Sequence, residues 1–147
     1  MATTYPVEMS VTLEPVNHDR PLPLQIGTNG DFVDINLDQI ITKHFDFIAQ
    51  DQCRLEIKFI DKRDHEAVII RQVSFYGITD PRFAWAGVYE PQYPEPWATE
   101  QADAGVILQP QLSQHTYLGW PGIWTLSFEV PVFSWIHRIQ GLGWIYD

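Results

Sequence analysis

The chain has one cysteine in 147 residues, Cys53, so an intrachain disulfide is excluded. Cys53 sits among apolar positions of a strand-like run, with no evident cation to stabilise a thiolate. It reads as a small core hydrophobe. No stretch approaches the roughly 20 apolar residues of a membrane span, and membrane insertion is not expected. The N-terminus has neither a basic region nor a long apolar run, so no signal peptide is expected. Cations are scarce: nine Lys and Arg face nineteen Asp and Glu, for a formal charge of −10. After Arg82 the next cation is Arg138, while Glu90, Glu95, Glu100, Asp103 and Glu129 lie between them. A nucleic-acid backbone needs clustered Lys and Arg, so it is not an expected partner.

Catalytic signatures are missing as well. His18, His44, His65, His115 and His137 share no metal-like short spacing with one another or with Cys53. There is no Gly-x-Ser-x-Gly elbow, no Gly-rich phosphate loop and no His-Glu-x-x-His. Carboxylates are plentiful enough for a glycosidase pair, but most fall on the polar parity of strands or in loops, where a solvated acidic face accounts for them. A polysaccharide-degrading enzyme is therefore the least favoured function, and a non-enzymatic protein is expected.

What is present is alternation. Val7, Met9, Val11 and Leu13 alternate with Glu8, Ser10, Thr12 and Glu14, the period of two of a strand with one buried face. Leu22, Leu24 and Ile26 repeat it, with Pro21 and Pro23 on the other parity suggesting a sheet edge. Asn29-Gly30 is a strong turn signal, and Val33, Ile35 and Leu37 follow. Cys53, Leu55, Ile57 and Phe59 alternate with Arg54, Glu56 and Lys58. The polar run Asp61–Glu66 then leads into Val68, Ile69, Ile70, Val73 and Phe75, as a hairpin or a sheet crossover. Phe83 to Tyr89 shows aromatic alternation interrupted at Gly87, as at a bulge or close contact. Pro91 to Trp97, rich in proline, reads as an extended stretch, and residues 98–105 as an exposed loop. Thr116–Leu118, the Gly119-Trp-Pro-Gly122 turn and the run through Trp124, Leu126, Phe128 and Val130 read as a hairpin. Pro131 to Gln140 fits a short helical turn better than a strand, because Phe133, Ile136 and Ile139 are spaced by three between Pro131 and Gly141. The apolar tail 143–147 should dock on the domain or on a partner chain.

Eight or nine short strands without long intervening helices predict one all-β domain over residues 1–147. The expected form is a two-sheet antiparallel β-sandwich or jelly roll with a short C-terminal helical turn. Scaffold strands lie mainly over 7–78 and an aromatic, Pro-rich binding or assembly region over 79–147.

Two sets of residues are candidates for a site. Asn29, Asp31 and Asp34 surround the Asn-Gly turn, and hard oxygen donors on such loops suit Ca²⁺; no other cofactor is indicated. The spacing is not that of an EF-hand, and Asp-rich turns are commonly only turns. The second set is aromatic. All six Trp follow residue 84, namely Trp85, Trp97, Trp120, Trp124, Trp135 and Trp144. Aromatic faces stack on sugar C–H groups, dominate protein interfaces, or fill a domain's own core, and all three uses stay open. Trp124 shares parity with Leu126 and Phe128, which favours the core. Tyr89, Tyr93, Trp97, Tyr117, Trp120 and Trp144 are the candidates for an exposed ligand- or partner-binding set.

Residues 53–78, from Cys-Arg-Leu-Glu-Ile-Lys-Phe to Val-Ile-Ile-Arg-Gln-Val-Ser-Phe-Tyr-Gly-Ile, resemble the paired core strands of jelly-roll carbohydrate-binding modules. Ile-Thr-Asp-Pro-Arg-Phe-Ala-Trp (78–85), Tyr-Pro-Glu-Pro-Trp-Ala-Thr-Glu (93–100), Thr-Tyr-Leu-Gly-Trp (116–120) and the stretch 133–147 are similar to uncharacterised proteins of tailed phages infecting marine bacteria. This second resemblance implies a viral origin and a place on the virion, or in the host cytoplasm before assembly. The leading expectation is a virion-associated structural or attachment module whose aromatic second half contacts another copy of itself or another virion protein. The alternative is a lectin-like module for host-surface polysaccharide.

Overall fold

The computed structural model describes residues 3–17, 20–60, 66–93 and 95–139. In chain order the elements begin with β1 (Tyr5–Val16), β2 (Leu22–Thr28), β3 (Asp31–Leu37), β4 (Ile41–Ala49), β5 (Gln52–Phe59), β6 (Ala67–Phe75) and β7 (Ile78–Thr79). They continue with α1 (Pro81–Trp85), β8 (Val88–Pro91), α2 (Trp97–Asp103), β9 (Leu112–Ser113), β10 (Tyr117–Leu118), β11 (Gly122–Glu129) and α3 (Val132–Ile139). The strands form two antiparallel sheets, as the alternation predicts. One has the order β10-β6-β1-β4, with β7 beside β6; the other runs β3-β2-β5-β11-β8-β9. The two meet face to face as a β-sandwich, and the alternating apolar positions supply the core: Val7, Met9, Val11 and Leu13 from β1 meet Leu55, Ile57 and Phe59 from β5. Both halves of the chain supply this core, since Trp124, Leu126 and Phe128 of β11 are buried in it with Tyr89 of β8.

Local chemistry sets the register. Asn29 and Gly30 both have positive φ, 51° and 92°, the twist a two-residue hairpin turn needs. They join β2 to β3 with Thr28 opposite Asp31. Asn29 Oδ1 accepts from the Arg54 backbone N–H at 2.9 Å, tying the turn to β5. In β6 the apolar parity switches after Ile70: Arg71 and Gln72 both face solvent, and Val73 returns to the core. The ladder to β1 shifts at that point, with Thr12 opposite Gln72 but Leu13 opposite Ile70. A bulge thus absorbs one extra residue and keeps both ends of β6 in the core.

Several expectations are corrected. β2 is an interior strand; its β5 ladder starts at Leu24, so Pro23 lies outside it and the missing N–H is tolerated. The Asp80-Pro81 break is a helix start. Asp80 Oδ1 caps the Arg82 backbone N–H at 2.9 Å and Pro81 occupies the first turn, so Phe83 to Trp85 lie on α1 and not on a strand. Residues 97–103 form α2 where a loop was expected, because Pro96 stands before the helix and leaves its ladder intact. The stretch 116–130 is no hairpin: β10 pairs with β6 and β11 with β5, so Gly119 to Pro121 cross between sheets. Likewise β5 and β6 lie in different sheets, which makes the connection between them a crossover. The predicted C-terminal helical turn is α3. Glu66, assigned to the polar loop, is 2% exposed and pairs with Arg20 at 3.0 Å. The rest of that loop, 61–65, and the tail 143–147 lie outside the described residues.

One cluster of rings packs α1 and α3 onto the sandwich. Phe75 of β6 meets Phe83 of α1, Phe128 of β11 and Trp135 of α3 with ring centres 5.4, 5.0 and 5.4 Å away. Gly87, flagged by its interruption of the aromatic run, is a close contact: a Cβ there would stand 2.1 Å from Cζ2 of Trp124.

Candidate functional site

The paired strands β8 and β11 place the site. Gly122 lies opposite Pro91, and the Gln92 backbone N–H extends the ladder to the Pro121 carbonyl at 2.7 Å. The chain leaving β8 and the chain entering β11 therefore emerge side by side, bringing Tyr93 next to Trp120. Trp97, the first residue of α2, completes the group. The ring centres are 5.1 Å apart for Trp97 and Trp120, 6.0 Å for Tyr93 and Trp97, and 6.4 Å for Tyr93 and Trp120. All three rings are half-buried, and none belongs to the inter-sheet core. They form one aromatic patch at the margin of the sandwich, built by loops on a rigid ladder.

Each ring is fixed through its backbone or its tip. The Tyr93 hydroxyl donates to the Gln109 carbonyl at 2.8 Å. Glu95, in the turn before α2, accepts from the Thr99 backbone N–H at 3.3 Å and from its hydroxyl at 2.5 Å, which holds the first turn carrying Trp97. Trp120 is held from below by Tyr89, whose hydroxyl donates to the Trp120 carbonyl and accepts from its N–H at 3.1 Å. His115 stacks on the Tyr89 ring, 5.5 Å away and 14° from parallel. Burial pushes the Tyr89 hydroxyl up to about 12; its bond to the Trp120 backbone opposes the shift and nearby Tyr93 adds to it.

The predicted aromatic set therefore divides. Tyr93, Trp97 and Trp120 come together. Tyr89, expected at the surface, is 1% exposed because its position in β8 points into the core; it supports the patch and does not belong to it. Tyr117 is exposed on β10 but joins none of the ring contacts among the described residues. Trp144 lies outside the described residues. The contribution of Tyr89 was legible in retrospect: Tyr89 has the parity of Pro91, the next inward residue of the strand.

A shallow groove of about 400 Å³ runs along the outer face of the second sheet, lined by Arg54, Glu56, Glu90, Gln111, Ile123 and Thr125 among others. It adjoins the patch in sequence at both sides: Glu90 precedes Tyr93 by three residues, and Gln111 follows Gln109, the Tyr93 acceptor, by two. Arg54 in this groove is engaged with Glu56 at 2.7 Å.

The calcium candidates do not converge. Asp31 and Asp34 are three apart on β3, so the period of two sends them to opposite faces. Asn29 spends its oxygen on Arg54, and Asp34 accepts from Gln25 at 3.0 Å. Among the described residues, no group of three or more His, Cys, Asp and Glu side chains is placed to hold a metal ion. Cys53 is 2% exposed and burial pushes its thiol up, with a bond to Asn29 opposing, as befits a core residue.

The chain matches no protein-family model and no curated relative. Among solved structures it is similar to vCBM60 in complex with galactobiose, at 10% identity over 81% of this chain and 96% of that one, with a TM-score of 0.47. It is also similar to a selenomethionine form of vCBM60, described with two families of calcium-dependent carbohydrate binding modules. That match has 12% identity over 84% of this chain and 90% of that one, with a TM-score of 0.49. Neither transfers a residue or a ligand to this chain.

Proposed function

We propose that this chain is a non-enzymatic carbohydrate-binding module, and that its ligand stacks on the patch of Tyr93, Trp97 and Trp120. The observation that carries this reading is the convergence of those rings outside the core, each held by bonds that leave part of it open to solvent. Sugar rings present weakly positive C–H groups to the negative π-face of such side chains, and rigid rings bind them with little loss of conformational freedom. Glu95, the carboxylate nearest Trp97 in sequence, is occupied in holding the Thr99 turn, and no turnover is expected. A glycan array probed with the labelled protein tests the reading. Binding to a subset of polysaccharides, lost in Trp97→Ala and in Trp120→Ala, is the expected result; silence across a broad array rejects it.

A second reading is assembly of a virion particle through the same half of the chain. It is favoured by exposed apolar side chains, Ile107 on the loop after α2 at 83% and Phe133 on α3 at 58%. Isolated exposed apolar residues are common on monomers, which is why this reading ranks second. It expects self-association in light scattering that Ile107→Asp or Phe133→Asp abolishes. A monomer at all concentrations with no affinity for purified particles counts against it.

A further inference from the structure

We infer that the aromatic patch accepts uncharged glycans and rejects polyanionic ones. This rests on the carbohydrate reading above and adds the class of ligand. The segments that build the patch are the stretch from Glu90 through α2, the return past Gln109, and the Trp120 crossover. All fall between Arg82 and Arg138, a span without Lys or Arg that contains Glu90, Glu95, Glu100 and Asp103. Their placement makes the bias local. Glu95 lies two residues before Trp97, and its carboxylate is turned onto the first turn of α2. Glu100 is exposed on α2 three residues after Trp97, which puts it on the neighbouring position of the same helix face. Glu90 lines the adjoining groove, where Arg54 is engaged with Glu56, while Lys58 of β5, across Ile123 from Glu90, sits over the Phe32 ring at 4.1 Å.

Recognition of a uronate or sulfate calls for guanidinium or ammonium donors aimed at the anion. The patch offers instead π-faces, which repel anions, and carboxylates on the same segments that carry its rings. An uncharged chain meets no such penalty, and exposed carboxylates accept hydrogen bonds from its hydroxyls.

The test uses matched backbones: hydroxyethyl cellulose against carboxymethyl cellulose, and agarose against carrageenan, each immobilised and probed with the full chain at low and high NaCl. At low salt the uncharged member of a pair that binds is expected to hold the protein about 10-fold more tightly, and the gap narrows at high salt as screening sets in. The variant Glu90→Gln/Glu95→Gln/Glu100→Gln is expected to close most of the low-salt gap. Glu8→Gln/Asp31→Asn/Asp46→Asn, which removes as many charges elsewhere, is expected to leave it. If the anionic member binds equally or better at low salt, and Trp97→Ala abolishes that binding, the inference is overturned while the carbohydrate reading stands. The inference also falls if both triple variants narrow the gap equally, since the selection then belongs to overall charge. Binding to no polysaccharide rejects the carbohydrate reading and this inference with it.

Discussion

Replacing Tyr89 by Phe removes one oxygen and keeps the buried ring, so it isolates the bond that seats Trp120. That hydroxyl donates to the Trp120 carbonyl and accepts from the Trp120 N–H, and the residue is 1% exposed. A hydrogen bond contributes about 0.5–1.5 kcal/mol net, and losing the shared partner of two backbone groups costs more than losing one. The two together put the loss at about 2–3 kcal/mol. In a chain of this size that lowers the melting temperature by roughly 5–10 °C. Urea unfolding at neutral pH should show a lower midpoint with an unchanged slope, because the exposed surface is the same. An alkaline series adds a second, independent readout. The folded protein holds the Tyr89 proton up to about 12, against 10.0 for the free side chain. Its folded pKa is raised, so its stabilisation is complete below pH 10 and is lost as pH rises to about 12. Two units correspond to about 3 kcal/mol. The wild-type stability should fall across that window more steeply than that of Tyr89→Phe, which has no proton to lose. A variant within about 0.5 kcal/mol of wild type at neutral pH, with a parallel alkaline limb, would refute the assignment of Tyr89 as the seat of Trp120.

Gly87→Ala drives a Cβ to within 2.1 Å of the buried Trp124 indole and is expected to cost about 3 kcal/mol or abolish folding, read by urea unfolding and by yield of folded protein. Arg20→Ala removes the guanidinium bonded to the Glu66 carboxylate, itself 2% exposed, and should lose about 1.5–3 kcal/mol. Arg20→Met/Glu66→Met, which removes both charges of the pair, should recover part of that in the same assay. Asp31→Asn and Asp34→Asn are expected to leave the response of the melting temperature to millimolar calcium unchanged from wild type, because the two residues occupy opposite faces of β3. A response that either variant removes would restore the turn as a calcium site.

The sandwich was legible because alternation reports burial directly. β1, β5 and β11 follow their apolar parity residue by residue, and Trp124 was placed in the core by parity with Leu126 and Phe128. Pairing was not legible, because parity says which face is buried and nothing about which sheet receives the strand. For that reason the Gly-Trp-Pro-Gly turn read as a hairpin when it is a crossing. The parity break between Ile70 and Val73 carried the bulge in plain sight. Asp80-Pro81 carried a capped helix start that the aromatic alternation beyond it disguised. At the site, proline context singled out Tyr93, Trp97 and Trp120, but Tyr89 was misplaced. Its aromatic character suggested a surface ligand contact, while its strand position sends it inward beneath the residue it positions. The asymmetry of charge was readable from the sequence, but its closeness to the rings emerged only when α2 and the Trp120 crossover were seen side by side.

The claim that these rings receive a carbohydrate is tested most directly by the tryptophan indole N–H resonances of the protein as a polysaccharide that it retains is added. The Trp97 and Trp120 signals are expected to shift with saturation, while those of Trp124 and Trp135, both buried in the core, stay in place. Binding that moves neither Trp97 nor Trp120 would contradict that claim.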